Sequence, residues 1–414
     1  MANVNMSEVT AILKEDVDPM IRDLFFASAK SPLARLAKEG RNAGEGTSDF
    51  LNGDKAYIVA RYGRHSGVRS QGEESTLPQG KTQKERMYFS PKILNGSFRI
   101  TLKAVQGTKN RQGAVVDELS DSVEQMLERA QIQLARQAHN DGTGTLALVN
   151  DSTPNSITDV TVDAVRSVNL ADIIQKGDEL NIGTAAEMTG TGSPFAATVS
   201  SVNSNTNFTI VETTSALADD DLVSFKDNYV DSAYTEKMGM LGLVVTSGTV
   251  QALALATRSY LQSYVDTQSV ALTKRFLVQY LMKNAAYSKG ANYAVVMGDL
   301  FYYAIELFVG TQQSDPAAAA TIFHGGAEGL MIHWVSGSCP IVFDPLARPA
   351  SVLGVDLSNV GYKQLYAMGL IEDGGKMVHR VSGSTVYEVA ASEAGNFYII
   401  DPKTCFRLEN KTNA

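Results

Sequence analysis

Cysteine is almost missing from this chain: two in 414 residues, Cys339 and Cys405. Neither belongs to a CxxC or Cys/His zinc spacing, so a disulfide framework and a structural zinc are both excluded as expectations. Histidine is nearly as scarce. The five, His65, His139, His324, His333 and His379, are scattered, and the nearest pair has no i, i+4 spacing for a shared metal. No Walker A loop occurs. The glycine pairs Gly142/Gly144 and Gly190/Gly192 do not stand in a strand–GxxxxGK[ST]–helix context. The run Gly337-Ser338-Cys339-Pro340 lacks the second glycine of a nucleophile elbow. Cys339, before a proline in an apolar run, reads as a buried structural cysteine rather than a nucleophile. Asp219, Asp220 and Asp221 could suggest calcium, but the EF-hand pattern is absent and a solvated loop is the expectation. The first eighteen residues show no basic-then-apolar signal pattern. The longest apolar stretch, 293–310, carries Asp299 and Glu306, so it reads as a strand and a helix rather than a membrane span. Together these absences predict no cofactor, no metal, no catalytic residues and no membrane insertion, in a cytoplasm-like compartment.

What is present is the composition of a folded protein: 44% hydrophobic and 20% charged residues, at a length of two or three domains. The net charge of −9 is unevenly spread. Residues 54–111 hold twelve Lys/Arg against four Asp/Glu, a balance of +8, while 151–231 hold three against thirteen, a balance of −10. Such asymmetry predicts different surfaces for different partners. A basic segment suits nucleic acid or an acidic patch on a neighbouring subunit.

The clearest element is a long helix over residues 115–141. Val116, Leu119, Val123, Met126, Leu127, Ala130, Leu134 and Ala138 recur in steps of three and four, which makes one apolar stripe. Glu118, Gln125, Glu128, Arg129, Gln133 and Arg136 take the other side. Acids near the start and bases near the end suit the helix dipole, and Gly142 is a stop signal.

Ahead of it, helices are predicted near 4–13 and 20–38, with Pro19 and Pro32 as interruptions. Residues 55–62 (KAYIVARY) and 98–104 (FRITLKA) read as the two strands of one long excursion with a polar tip between them. An isolated two-stranded hairpin is marginal in water, so another copy of the chain is expected to hold it. Its cations, Lys55, Arg61, Arg64, Arg69, Lys81, Lys84 and Arg86, are interleaved with Tyr57, Tyr62, Tyr88 and Phe89. That pattern fits a single-strand-binding surface or an intersubunit contact, and the second reading is preferred. Behind the helix, short strands near 178–183, 195–202, 207–212 and 222–226 suggest a small barrel or sandwich inserted in a host fold. From about 235 mixed α/β character resumes. Residues 249–265 stay ambiguous, 270–282 read as a helix, 293–297 as a buried strand, and Asp299 as the cap of a helix over 300–309. Residues 330–334, 340–343, 351–357, 376–389 and 396–400 read as strands.

This order of parts resembles the major capsid (coat) proteins of tailed bacteriophages, the Hong Kong 97-type fold. Local wording is similar too, in YAVVMGDLFYYAIELF and the ending VSGSTVYEVAASEAGNFYIIDP, and 178–212 resembles the inserted β-barrel of some short-tailed-phage coat proteins. The resemblance implies an α+β fold with an N-terminal arm (1–50), an extended E-loop hairpin (51–110), a spine helix of the peripheral (P) domain (111–150), a small all-β insertion (151–232), and the axial (A) domain with the rest of the P domain (233–414). It implies a structural protein, not an enzyme, that self-assembles as hexamers and pentamers into an icosahedral virion shell around double-stranded DNA, held by non-specific contact, after assembly in the bacterial host cytoplasm. A separate scaffolding protein, a portal protein and a decoration protein are the implied partners. Arg61, Arg64, Arg69, Lys81, Lys84 and Arg86 on the hairpin, with Glu118, Gln125 and Glu128 on the helix, become the expected subunit interface. Some relatives crosslink subunits through an E-loop lysine. Nothing here identifies an asparagine partner or a catalytic glutamate for Lys81 or Lys84. An encapsulin-like compartment, and a nucleic-acid-binding protein or enzyme with an unrecognised site, are the alternatives.

Overall fold

The computed structural model describes residues 25, 32–40, 50, 54–61, 63, 67–70, 79–101, 112–150, 157–162, 170–190, 192–214, 217–230, 233–287, 293–309, 330–334, 337–372, 376–381, 383–384 and 386–412, with the backbone alone for 39–40, 61, 100–101, 112–120, 157, 171–172, 213–214, 285, 308–309, 330–331, 333–334 and 337–338. The helix expected near 4–13, most of the hairpin tip and residues 102–104 lie outside this set.

Of the helix expected over 20–38, the continuous described part is α1 (Pro32–Gly40). Pro32 opens it rather than interrupting it, since a first-turn proline loses no helical hydrogen bond. Leu33, Ala34, Leu36 and Ala37 are buried. The chain then forms an antiparallel hairpin of β1 (Ala56–Arg61) and β2 (Lys84–Phe89), with Arg61 opposite Lys84 and Ala56 opposite Phe89. Strict alternation sorts it: Ala56, Ile58, Ala60, Met87 and Phe89 face inward and are buried, whereas Lys84, Arg86 and Tyr88 face out. Two expectations change here. The return strand is 84–89, and the hairpin root is held by its own subunit. Phe89 stacks on Tyr398 at 5.4 Å between ring centroids, and the Tyr88 N–H donates to the Gln251 carbonyl at 3.1 Å.

Pro91 cannot donate to a ladder, and the chain turns there into β3 (Lys92–Thr101). This strand, expected to close the hairpin, instead joins a sheet at the far end of the sequence. The long helix α2 (Gln112–His139) follows. At 28 residues it is about 42 Å long. Val123, Leu127, Ala130, Leu134 and Ala138 are buried along its stripe. It stops before Gly142, whose φ of 82° is cheap for glycine.

Next come β4 (Thr145–Leu148), β5 (Ile157–Thr161), α3 (Leu170–Ile173), β6 (Glu179–Gly183), α4 (Ala185–Met188), β7 (Phe195–Ser204), β8 (Asn207–Thr214) and β9 (Leu222–Phe225). The strands pair in the order β4-β9-β6-β7-β8-β5, and an antiparallel bridge between Val149 and Val162 closes the ring. The result is a six-stranded barrel. Leu146, Val160, Leu180, Ile182, Val199, Phe208, Ile210 and Val223 fill it together with Leu170 and Ile173 of α3, as a core separate from the rest.

After the short pair β10 (Tyr229–Val230) and β11 (Ala233–Tyr234), the chain returns to α2. Gly239 passes so close that a Cβ there would lie 2.0 Å from the Gln137 carbonyl oxygen. Then follow α5 (Met240–Leu243), β12 (Thr249–Val250), β13 (Leu253–Ala254), β14 (Tyr264–Asp266), α6 (Lys274–Ala285), β15 (Tyr293–Met297), α7 (Leu300–Val309), β16 (Leu330–Trp334), β17 (Gly337–Phe343), β18 (Val352–Asp356), β19 (Val360–Leu370), β20 (Val378–Arg380), β21 (Val386–Ile399) and β22 (Phe406–Leu408). The ambiguous 249–265 stretch therefore resolves into two tiny strands, a 3-10 turn and β14. Thr273 caps α6, its hydroxyl accepting the Phe276 N–H at 3.2 Å, and Asp299 accepts the Leu300 N–H at 2.9 Å.

Two further sheets result. One is mixed, β14-β22-β18-β15-β17-β16, with α6 and α7 residues on one face and the main core on the other. The second is built on β21, which pairs with β19 and β20 and, through Lys92–Thr101, with β3. The main core joins α1, the hairpin root, α2 and this sheet.

Candidate functional site

Two elements, the hairpin and α2, carry exposed charge of opposite sign. On the hairpin, the outward register places Lys84 and Arg86 beside Tyr88, and the Lys55 ammonium lies 4.9 Å from the Tyr88 ring centre. Arg86 stands opposite Val59, itself 56% exposed. Arg69 and Lys81 are exposed nearer the tip. Arg61 lies in β1 opposite Lys84, but its side chain is outside the described set, as is the whole of Arg64. On α2, the outer stripe is Asp121, Glu124, Gln125 and Glu128, all exposed. Their i, i+3, i+4, i+7 spacing makes one face. Gln125 donates to Asp121 at 2.8 Å. Gln125 and Glu128 are thus brought together, while the Glu118 side chain lies outside the described set. Asp121 and Glu124 escaped the reading of the polar side, although their spacing from Glu128 carried the signal.

Among the described residues, no ion pair joins Lys84 or Arg86 to α2. The inner side of β2 is anchored differently. Glu85 takes two bonds from the Arg258 guanidinium, at 2.7 and 2.8 Å, a bidentate pair that fixes the hairpin's root on its own body.

The barrel is seated on α2 by polar contacts that sequence spacing did not reveal. Arg129 pairs with Asp178 at 2.5 Å. The Asn228 amide donates to the Thr143 carbonyl at 2.6 Å, and the Asn140 amide to the Thr145 carbonyl at 3.1 Å. Where the chain leaves the barrel, two adjacent residues reach opposite ways. Glu236 pairs with Arg136 of α2, both buried. Lys237 pairs with Glu393 of β21 at 2.9 Å, both fully buried, while its ammonium donates to the Lys92 carbonyl at 2.7 Å. Burial pulls the Lys237 ammonium below its usual value, and Glu393 opposes that. The Tyr362 hydroxyl, which donates to Glu393 at 2.5 Å, is driven well up, by burial first and then by that carboxylate.

The remaining chemistry is muted. Cys339 and Cys405 are free and buried. Burial pushes both thiols up, that of Cys405 to about 12, where little thiolate forms. Among the described residues, no group of three His, Cys, Asp or Glu could hold a metal ion. Asp219 and Asp220 are exposed in a turn, and Asp221 accepts the Ala218 N–H at 2.7 Å. No described helix is long and apolar enough to cross a membrane. The arrangement presents surfaces for contact, with one basic aromatic face and one acidic helical face.

No family model and no curated protein matches the chain. Solved structures do. A chain of the cyanophage A-1(L) capsid asymmetric unit matches at 9% identity with a TM-score of 0.51, over 92% of this chain and 93% of that one. The capsid of an empty GTA particle matches at 10% identity and a TM-score of 0.44, over 93% and 91%. Mycobacterium phage Bobi matches at 9% and 0.40, over 98% of each chain. At such identities the likeness speaks to fold: this chain has the mixed α/β fold of the A-1(L) capsid chain along nearly its whole length.

Proposed function

We propose that this chain is the major capsid protein of a tailed phage, a structural subunit of the icosahedral head shell around double-stranded DNA. The observation that carries this reading is the whole-length likeness to the cyanophage capsid chain. In the Hong Kong 97-type arrangement it implies, α2 is the spine, the β1–β2 hairpin is the root of the extended loop, and the sheet on β21 belongs to the P domain. The sheet ordered β14 to β16 is the A domain, and the β4–β9 barrel is the insertion. Hexamers and pentamers of the chain form the shell, with a scaffolding protein, a portal protein and a decoration protein as partners. Assembly takes place in the host cytoplasm and the product resides in the virion.

The mechanism of association follows from charge. The hairpin's outward face carries Lys84, Arg86 and the exposed Arg69 and Lys81. The α2 stripe carries Asp121, Glu124 and Glu128. Among the described residues no ion pair joins Lys84 or Arg86 to α2 within a subunit, and in this reading one copy's hairpin meets a neighbour's helix. Complementary fields of this kind steer encounter and fix register more than they add raw affinity. The test is electron microscopy of the purified protein. Closed shells, with nuclease-protected DNA in particles from infected cells, are the expected result. A small oligomer at every concentration overturns the reading, and an enzyme cargo in place of DNA reassigns it to a cargo compartment.

A further inference from the structure

Three side chains able to exchange protons meet out of reach of solvent. Lys237 lies on the stem that leaves the barrel, Glu393 on β21 and Tyr362 on β19. Each is at most 1% exposed. The Phe397 ring packs on that of Tyr362, 4.7 Å between centroids. Gly395 leaves the room in which they converge. A Cβ there would lie 2.6 Å from the Tyr362 hydroxyl oxygen and 2.8 Å from Glu393 Oε1.

The Lys237 nitrogen is held in one orientation. It donates to the Lys92 carbonyl at 2.7 Å and to the Gly395 carbonyl at 3.3 Å, two residues that face each other at the end of the β3–β21 ladder. With Cε, these bonds take three of the nitrogen's four directions. Glu393 Oε2 lies 2.9 Å away, yet it accepts no hydrogen bond among the described residues. The nitrogen is therefore close to the carboxyl group without the alignment of a hydrogen bond. Its fourth direction, a lone pair once a proton has gone, is left for that group. The other oxygen, Oε1, accepts the Tyr362 O–H at 2.5 Å. Burial penalises both charges of the pair. Passing one proton from the ammonium to the carboxylate removes both and yields an amine beside an acid. Burial already pulls the Lys237 ammonium below its usual value, against Glu393. The Tyr362 hydroxyl is driven well up, by burial first, so it keeps its proton and remains a donor. That donor sits where negative charge collects when a nucleophile adds to the carboxyl carbon. Groups held in such contact reach effective molarities of about 10⁵–10⁸ M, and a dry site opposes hydrolysis of the product.

We propose that Lys237 and Glu393 condense within one subunit to an isopeptide bond, with the Tyr362 hydroxyl bonded to the acyl oxygen during the reaction. The neutral amine adds through its lone pair to Glu393 Cδ, and Tyr362 stabilises the charge that gathers on Oε1. The Cδ–Oε2 bond then breaks, and Oε2 leaves as water with its own proton and one from the nitrogen. In sum, one ammonium and one carboxylate give one amide and one water, with no oxidant, reductant or activated co-reactant. The bond ties the exit stem of the barrel to the central strand of the β21 sheet. Both partners belong to the same chain and neither lies on the hairpin, so the bond joins no two subunits and its presence or absence leaves the shell reading untouched.

Mass spectrometry of the purified wild-type full chain, unfolded in denaturant, tests the bond without any variant having to fold. The expected chain is lighter than its sequence by the mass of one water. Trypsin should fail to cut after Lys237 and should release a branched peptide that joins the segments of Lys237 and Glu393. Lys237→Arg, which keeps the charge but offers no such amine, should retain the full sequence mass. A wild-type chain of full sequence mass after prolonged incubation, cut normally after Lys237, overturns the proposal. So does a lost water that maps to any other residue, such as an aspartyl succinimide. Tyr362→Phe keeps the ring and removes the donor. In chains sampled at short times after synthesis it should form the bond more slowly by about tenfold or more, and an unchanged rate would overturn the part given to Tyr362.

Discussion

Asp401 sits at the start of the last turn before β22, where its carboxylate accepts the Lys403 N–H at 3.3 Å. Burial pushes its carboxyl up to about 6, the Lys403 N–H pulls it back, and the nearby Asp356 pushes it up again. An acid whose folded value lies above its unfolded one favours the fold when protonated. Its contribution is therefore complete below about pH 4 and lost as pH rises through about 6. Asp401→Asn, which keeps an oxygen acceptor, should raise stability by about 2 kcal/mol at pH 8 and change it little at pH 4. Urea midpoints at the two pH values check this, and an equal gain at both would show that the carboxyl does not titrate across the window. At this scale the sequence was partly readable. The sequence reading groups Phe89 with the outward Lys84, Arg86 and Tyr88, and alternation along β2 instead turns Glu85, Met87 and Phe89 inward. The partner of Glu85 is Arg258, which is 173 residues away, and no local pattern can announce such a pair. The same holds for Lys237 and Glu393.

At the scale of elements, the long helix and the barrel strands β6 to β9 were legible, because their periods are local. β3 was misjoined for the opposite reason. Its alternation marks a strand but does not name a partner, and the partner is β21 at the other end of the chain. β19 was not read at all, since GYKQLYAMGL lacks a clean period of two. The clasp at the barrel's exit now allows a quantitative expectation. Lys237→Met leaves Glu393 buried without its counter-charge and should cost about 3–5 kcal/mol, whereas Lys237→Met with Glu393→Gln should recover most of the loss. Denaturant unfolding of the three proteins checks this, and an additive double variant would mean that the two side chains do not act as a pair. The barrel has its own core, and its two stems already touch through the Asn228 amide and the Thr143 carbonyl. Deleting 144–227 and joining Thr143 to Asn228 should therefore leave the body folded, with both buried clasps in place. Near-ultraviolet circular dichroism and a single cooperative unfolding transition are the expected signatures. A shortened chain without a cooperative transition would show that the barrel is part of one folding unit with the body.

For the whole molecule the question is which forces hold one copy to the next. The hairpin is buried on its inner face, basic on its outer face and tied at its root by the ion pair of Glu85 with Arg258, and among the described residues no ion pair joins its outward Lys84 or Arg86 to α2. Reversing Lys84 and Arg86 to Glu should thus leave the subunit nearly as stable as before, within about 0.5 kcal/mol, as expected for exposed positions. The same change should abolish closed shells, because Asp121, Glu124 and Glu128 of the neighbour would then face like charge. Adding Glu124→Lys and Glu128→Lys to that variant should restore assembly, since the pairing is rebuilt with its signs exchanged. Salt provides an independent check. Screening shortens from about 8 Å at physiological ionic strength to about 3 Å at 1 M, so the rate of wild-type assembly should fall as salt rises, and the reversed pair should follow the same dependence. Light scattering and negative-stain micrographs measure both effects. Normal shells from the Lys84→Glu, Arg86→Glu protein would remove the hairpin from the interface. Failure of the four-residue exchange to rescue assembly would place the hairpin against some surface other than the α2 stripe.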